Sequence, residues 1–248
     1  MDSLSVIGFL IAITAILGGQ YLEGGHLMVL FNGPAAIIVL GGTIGAVLLE
    51  TPMQIFKRSI ALLPWVLFPP DKKAFKQIKS FVHWGILSRN EGVLALERYI
   101  RNPDTTPVAQ KGLQLIIDGL SSDKIRDILQ QESEMKETGN LVAAKMYESM
   151  GGYSPTIGII GAVLGLIHVL GNLSDPEALG PGIAVAFVAT IYGVGFANIV
   201  CIPIGKKIKN IIFQQTMYDE MIIDGICALA EGEHPQAIEY KLRAYLDI

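Results

Sequence analysis

The sequence predicts an all-α fold, namely an integral membrane protein with four transmembrane helices and a helical cytoplasmic domain. The first observation is the composition, since 51% of the 248 residues are hydrophobic and only 17% are charged, whereas about a quarter are charged in soluble domains. The second is the presence of four long apolar runs that contain no Asp, Glu, Lys or Arg. The third is the confinement of every Lys and Arg to two stretches of the chain.

Each apolar run reaches the length of a transmembrane helix, which needs about 20 residues to cross the hydrocarbon core. The runs, called spans one to four below, are residues 4–22, 28–49, 149–172 and 182–205. No basic segment precedes the first run and no Ala-x-Ala site follows it, so we interpret it as a retained span. A fifth patch, 60–70, is short and interrupted by prolines, which favours an interfacial segment with Trp65 at headgroup depth.

The basic residues orient these spans. All 19 Lys and Arg lie within 57–145 or 206–243, and the connections 23–27 and 173–181 contain none. The positive-inside rule therefore places both termini and the central loop in the cytoplasm. Because both outer connections are short, a receptor for an extracellular ligand is disfavoured.

The two cytoplasmic stretches read as helical. Residues 71–84 place apolar side chains on one helix face, namely Phe75, Ile78, Phe81 and Val82. Ser88 with Glu91 fits a capping box, which predicts a new helix from there to Arg101. Cap signals predict four more helices, at about 106–119, 122–150 running into span three, 206–231 continuing span four, and 235–246. The predicted domains are therefore spans one and two (1–50), a cytoplasmic helical domain (51–148), spans three and four (149–205) and C-terminal cytoplasmic helices (206–248).

Several classes of function are disfavoured. The net charge is −4 and no Lys/Arg-rich tract occurs, so a nucleic-acid partner is not expected. We find no Gly-rich phosphate loop, Cys/His metal spacing or nucleophile elbow, so the sequence predicts neither an enzyme nor a metal or cofactor site. Cys201 and Cys227 lie in different settings, which predicts reduced thiols.

Every span carries small residues at three- and four-residue steps, which fall on one helix stripe. They are Gly8, Ala12, Ala15 and Gly19 in span one, Gly41 and Gly45 in span two, Gly158, Gly161, Ala162 and Gly165 in span three, and Ala186, Thr190, Gly193 and Ala197 in span four. Helices in lipid associate through close packing, which small residues permit. Two interpretations stay open: packing within a four-helix bundle, or close approach of spans three and four to helices of other subunits.

None of the spans contains Asp, Glu, Lys or Arg, although a proton or cation pathway normally needs a titratable or ligating group. His168 is the one titratable candidate, and an interfacial histidine bonded to backbone is favoured over a proton relay. If this protein conducts ions, the carboxylate must therefore come from a partner helix. Pro155 and Pro203 lie near the inner ends of spans three and four, which indicates either helix termination or a hinge or constriction at matched depth.

The sequence resembles the flagellar motor stator A subunits of the MotA/PomA type, and within them the MotC-like branch. The resemblance covers essentially the whole chain, including SPTIGIIGAVLGLIHVLGN (154–172), DPEALGPGIAVAFVATIYGVGFAN (175–198), IPIGKKIK (202–209), LEGGHLMVLFNGPAAIIVLGGTIGAVLLETP (22–52) and AEGEHPQAIEYKLRAYL (230–246). It implies a bacterial inner-membrane ion channel that powers flagellar rotation, with five A subunits around a dimer of MotB-type subunits. Each B subunit has a single span that bears the ion-carrying aspartate and a peptidoglycan-binding domain outside.

The resemblance also implies roles for four residues in the membrane. Pro155 matches the family proline beside the partner aspartate, and Thr190 matches the threonine that faces the ion site. Pro203 matches a second proline tied to coupling between ion flow and movement. Ala162 stands where proton-type stators have alanine and sodium-type stators have threonine, which implies H⁺ as the transported ion.

Two residues of the cytoplasmic loop complete the expectation. Arg89 and Glu97 match the charged pair proposed to contact the rotor protein FliG. The alternative interpretation is an ordinary pair of solvated helix charges, which contribute little to stability.

Two rival functions remain. TolQ/ExbB energisers share the architecture of spans three and four and also use a partner aspartate, but they have three spans with the large loop after the first. A non-conducting membrane scaffold would also be compatible with the small-residue stripes.

Overall fold

The computed structural model describes residues 2–171 and 176–246. The regular elements in these ranges are helical, which confirms the predicted all-α fold. The chain forms two compact units. We call them the membrane unit (Met1–Pro69 with Asn140–Asn210) and the polar unit (Pro70–Gly139 with Ile211–Ile248). The division of the sequence into four predicted domains stays a prediction.

Four helical stretches are long and apolar enough to cross a membrane, as predicted. Span one is α1 (Ser3–Leu22), and span two joins a 3-10 turn (Leu27–Leu30), α2 (Gly33–Ala36), a π-helical segment (Ile37–Gly41) and α3 (Gly42–Glu50). Further along the chain, span three lies within the 49-residue α8 (Ser122–Leu170). Span four comprises α9 (Pro176–Gly195), a second π-helical segment (Phe196–Cys201) and the start of α10 (Ile202–Ala230). Residue 172, the predicted end of span three, and residues 173–175 of the outer connection lie outside the described residues.

The segment after span two includes the patch 60–70, whose interfacial position stays a prediction. It forms α4 (Met53–Leu62) and a 3-10 turn (Leu63–Val66), and it is not among the four candidate spans. The buried Ser59 hydroxyl donates to the Ala143 carbonyl at 2.8 Å, and the Tyr147 hydroxyl donates to the Ser59 carbonyl at 2.9 Å. These two bonds fix α4 against α8.

The polar unit contains α5 (Ala74–Glu91), α6 (Glu97–Ile100), α7 (Pro107–Ile117), α11 (Pro235–Arg243) and the adjoining parts of α8 and α10. Its core includes Phe81, Trp84, Leu113, Ile226 and Ile238. Two glycines allow the close approach of helices: a Cβ atom on Gly112 would lie 2.6 Å from Ile226 Cγ1, and one on Gly225 would lie 2.8 Å from the Phe81 ring. In packing this close, even one added methyl group would displace the neighbouring helix.

The predicted helix start at Ser88 is wrong. Helix α5 runs through Ser88 to Glu91 because Leu87 continues the buried stripe of the helix, and the chain turns at Gly92, where φ is +84°. The apolar residues predicted to share one face of this helix differ in burial, since Phe81 is fully buried and Phe75 is 52% exposed. The predicted helix boundaries at Thr106 and near Gly119 are confirmed by α7.

Candidate functional site

Spans three and four pack with their backbones in contact. A Cβ atom on Gly158 would lie 2.9 Å from the Ala189 carbonyl oxygen and 3.1 Å from Gly193 Cα. Further along the same stripe, Gly165 lies against Ala186, whose Cβ would be 3.1 Å from an added Cβ. The buried Ser154 hydroxyl donates to the Gly193 carbonyl at 2.9 Å. This stripe, which we call the glycine seam, therefore serves packing within one chain, the first of the two interpretations left open by the sequence.

Several other glycines of the spans have no neighbouring helix of the same chain packed against them. An added Cβ would meet nothing within 4 Å at Gly8, Gly19, Gly41, Gly45 or Gly152. These positions lie outside the glycine seam. They leave room for close approach by helices from outside the chain. Because four of the five lie in spans one and two, the second interpretation, which concerned spans three and four, stays a prediction.

Pro155 lies inside α8, which continues without interruption to Leu170. Proline has no N–H for the carbonyl four residues before it, so the Gly151 carbonyl loses its helical donor. The Thr156 hydroxyl donates to the Tyr153 carbonyl at 2.7 Å, one turn earlier. Pro155 thus creates a backbone acceptor inside the membrane unit without ending the helix, contrary to the expectation of termination. Ala162 lies seven residues, or about two turns, further along the same face.

Thr190 lies on α9 next to Ala189, the residue that Gly158 and Gly161 contact across the seam. The seam therefore brings the segment that contains Pro155 and Ala162 against the segment that contains Thr190. Pro155, Ala162 and Thr190 are each half-buried. Together these segments offer a hydroxyl and a freed carbonyl, which can accept hydrogen bonds and orient a protonated group but cannot themselves carry a proton at neutral pH.

Pro203 is placed apart from these residues. It follows the π-helical segment Phe196–Cys201, whose wider turn accommodates the carbonyl that a proline ring would otherwise meet. Pro203 lines a cavity of about 610 Å³ together with Ser5, Phe9, Leu67 and Asn198.

The two prolines do not lie level. A Cβ atom on Gly151 would lie 2.5 Å from Ile202 Cγ1, and one on Gly205 would lie 3.0 Å from Glu148 Cγ, which places Pro203 level with about residues 148–150 of α8. Pro155 lies about five to seven residues further along α8, which is roughly 8–10 Å at about 1.5 Å per residue. The expectation that Pro155 and Pro203 lie at the same depth is therefore wrong.

Comparisons with known proteins identify the family. A family model described as the MotA/TolQ/ExbB proton channel family matches residues 101–221, and one described as Motility protein A N-terminal matches residues 6–81. Motility protein A of Bacillus subtilis is 36% identical over 99% of this chain and 91% of its own length. The chain belongs to the MotA/PomA family.

Further relatives and solved structures agree across the whole MotA-family chain. Motility protein A of Cereibacter sphaeroides is 30% identical over 100% of this chain and 96% of its own, and chemotaxis protein PomA of Vibrio alginolyticus is 29% identical over 100% and 96%. The structure of the flagellar MotAB stator complex from Bacillus subtilis matches with a TM-score of 0.90 at 36% identity, covering 99% of this chain and 96% of that one. The structure of C. jejuni MotAB matches with a TM-score of 0.93 at 28% identity and the same coverage. As a member of a family of channel subunits, the chain is not an enzyme.

In this MotA-family chain, Arg89 and Glu97 flank the turn at Gly92 and are both exposed. Arg89 lies in the last turn of α5, and Glu97 begins α6. Arg98 of α6 pairs with Glu91 of α5 at 3.3 Å across this turn. The structure therefore places both predicted rotor-contact residues on one exposed corner of the polar unit.

Sequence reasoning missed two features of the membrane unit. The Tyr192 hydroxyl donates to the Leu30 carbonyl and accepts from the Asn32 N–H at 3.1 Å, which ties span four to the start of span two. The π-helical segments in spans two and four were also missed, although Pro203 just after the second one was a usable signal. His168 is exposed on α8, and the described residues contain no cluster of His, Cys, Asp or Glu that could hold a metal ion.

Proposed function

We propose that the chain is the channel-lining A subunit of a flagellar stator, which couples proton flow through a complex with a MotB-type subunit to rotation of the rotor. The observation that carries this proposal is the glycine seam, which joins two spans free of Asp, Glu, Lys and Arg and brings the Pro155 and Thr190 segments together. Such a site can orient a carboxylate but does not contain one. A single-span partner with a membrane-embedded aspartate supplies it.

The solved neighbours of this chain are MotAB complexes, which supports a MotB-type, peptidoglycan-binding partner. The uncovered glycines of spans one and two support close packing with additional helices. Our proposal is a homopentamer of this chain around a dimer of the partner in the bacterial inner membrane. The distribution of Lys and Arg supports cytoplasmic termini.

In the proposed cycle, a proton arriving from outside neutralises the partner aspartate. A neutral carboxyl group donates a hydrogen bond that the carboxylate could not, and acceptors near Pro155 and Thr190 can receive it. The change of contact moves the ring by one step around the anchored partner. One elementary charge crossing 100 mV releases about 2.3 kcal/mol, several times thermal energy, so a step driven by a single ion is energetically reasonable. Arg89 and Glu97 then transmit the step to FliG.

The test is proton flux through liposomes that contain the purified complex of this chain and its partner. We expect flux with the native partner, and none when the partner aspartate is replaced by asparagine. Equal flux in both complexes, or none in either under an imposed potential, would remove the proposed pathway and leave a scaffold function.

Ala162 favours H⁺ over Na⁺ as the transported ion, and the same liposomes test this assignment. At fixed pH, replacing external potassium by sodium should leave the proton flux into the liposomes unchanged. The same exchange in the medium of intact cells should leave their swimming speed unchanged. A strong dependence on sodium concentration would overturn the assignment while leaving the stator function intact.

A further inference from the structure

The polar unit contains a cavity of about 640 Å³ that the ion pathway does not use. It lies between the first half of α5, the connection before α7 and the segment of α10 around Tyr218. The lining includes the hydrogen-bond donors Lys73, Lys76, Lys79, Ser80, His83, Thr105 and Lys136. The volume falls within the range typical of sites for small molecules, about 300–1,000 Å³.

One side chain in this lining lacks a partner. Gln77 is only 5% exposed, and its Nε2 amide has no hydrogen-bond acceptor among the described residues. A buried donor left unpaired costs free energy, so native structures rarely retain one without an ordered water or a ligand. Gln77 therefore points to an acceptor atom that is not supplied by the chain itself.

The charges of the lining favour an anion as the source of that acceptor. Each aspartate of the lining already pairs with a lysine: Asp71 with Lys73 at 3.5 Å, Asp104 with Lys76 at 3.1 Å, and Asp219 with Lys136 at 3.2 Å. Lys79 adds a further positive charge, and its Nζ lies 4.6 Å from the centroid of the Phe75 ring.

The geometry disfavours a cation in the same place. The described residues contain no cluster of His, Cys, Asp and Glu that could hold a metal ion. The lining is thus rich in donors, and its acidic groups are neutralised by lysines.

We propose that this cavity binds a small molecule through an oxyanion group, a carboxylate or a phosphate. One oxygen of the anion accepts the hydrogen bond from Gln77 Nε2, and the rim lysines, Lys79 first among them, stabilise its charge. Hydrogen bonds to an ionised acceptor are stronger than neutral ones, which suits a buried amide donor. The site belongs to the polar unit and is independent of Pro155, Thr190 and the proton.

The binding test uses the detergent-solubilised full-length chain with inorganic phosphate and citrate as separate probes. Potassium chloride at matched ionic strength is the control for screening. We expect phosphate, citrate or both to raise the unfolding temperature in a saturable way, and bound phosphate to broaden the ³¹P resonance. If neither probe exceeds the chloride control by either measurement, the proposed site is wrong.

Variants assign the binding to Gln77. Gln77→Leu and Gln77→Met remove the donor, so the dissociation constant for the bound probe should rise by about tenfold or more. The matched control is Gln114→Leu on α7, whose exposed amide donates to Asp118 at 2.8 Å outside the cavity; it should bind as the wild type does.

A second readout separates binding from a merely structural role. Without the probe, the Gln77 variants should unfold at the wild-type temperature or above, because they lack an unpaired buried donor. Wild-type affinity in a folded Gln77 variant would overturn the assignment. If both Gln77 variants fail to fold, Lys79→Met decides instead: unchanged affinity at low salt would contradict an anion site on this rim.

Discussion

At the scale of single residues, glycines decide how closely the helices of the membrane unit pack, because they have no side chain. Gly158 and Gly193 let two backbones meet, and Ser154 uses the proximity to bond to the Gly193 carbonyl. The sequence predicted that these glycines lie on a stripe, but it could not predict what covers them. Which helix faces meet depends on how whole helices pair. The three- and four-residue spacing of small residues is the same whether the facing helix belongs to the same chain or to another subunit.

A methyl group in the seam tests this contact. A Cβ atom on Gly193 would lie 2.6 Å from the Ser154 carbonyl oxygen, a distance that forces the helices apart. We expect Gly193→Ala to destabilise the chain by about 1–3 kcal/mol, seen as a lower unfolding temperature in detergent. Gly45→Ala is the matched control, because its Cβ would meet nothing within 4 Å. Equal unfolding temperatures for the two variants would contradict the seam.

Tyr245 gives the polar unit a dependence on alkaline pH. Its hydroxyl donates to Asp224 Oδ2 at 2.7 Å, and burial, followed by this bond to the carboxylate, raises the pKa of Tyr245 above its ordinary value. The unfolded chain therefore loses this proton first, near pH 10. The stabilisation is complete below pH 10 and is lost as the pH rises from there towards the folded-state pKa.

Unfolding temperatures at pH 8 and pH 10.5 measure this dependence. Tyr245→Phe should lower the stability at pH 8 by about 1 kcal/mol through loss of the hydrogen bond, and it should make the alkaline decline shallower. Tyr240→Phe is the control, since Tyr240 is 85% exposed. An alkaline decline of the same slope in Tyr245→Phe and the wild type would refute the assignment.

At the scale of elements, the four spans were predictable, whereas the end of α5 was not. About 20 apolar residues in a row leave one physical solution in lipid, so the four spans follow from local composition. The predicted start at Ser88 failed because a capping box is a local signal, whereas the burial of Leu87 is a tertiary one. The cavity around Gln77 was not predicted either, because one amide in a polar helix looks like a solvated side chain.

Replacing Pro155 tests how the interruption of hydrogen bonding in α8 contributes to the candidate site. Pro155→Ala restores the N–H for the Gly151 carbonyl and removes a penalty of roughly 3 kcal/mol for proline in a helix interior. We therefore expect a more stable α8 and normal assembly, but much reduced swimming, because the freed carbonyl is lost. Pro107→Ala is the control, since Pro107 begins α7 and interrupts no bond of that helix. Full motility with Pro155→Ala would show that the proline has no part in coupling.

At the scale of the whole molecule, the proposed function divides between two units with separate chemistry. The membrane unit holds Pro155, Ala162 and Thr190, and the polar unit holds Arg89 and Glu97. The sequence located the four spans and the excess of Lys and Arg beside them. The roles of Arg89 and Glu97 came only from family resemblance, since exposed helix charges carry no local signal of a partner.

Charge reversal separates the two tasks. Arg89→Glu combined with Glu97→Lys keeps the net charge and leaves the membrane unit unchanged, so the complex should assemble and conduct protons normally. Torque should fall strongly, measured as the rotation speed of tethered cells in a strain with no second stator. Lys124→Glu with Asp127→Lys is the control, a similar exchange of exposed charges on α8. Unchanged torque in the Arg89/Glu97 variant would eliminate the rotor contact.

The glycine seam also has an electrical consequence. Helices so close that a Cβ atom added to Gly158 would lie 3.1 Å from Gly193 Cα leave no room for a file of water molecules between them. Spans three and four of one chain therefore form an insulating wall. In the proposed function, protons therefore pass along the outer surface of this wall, beside the partner helix.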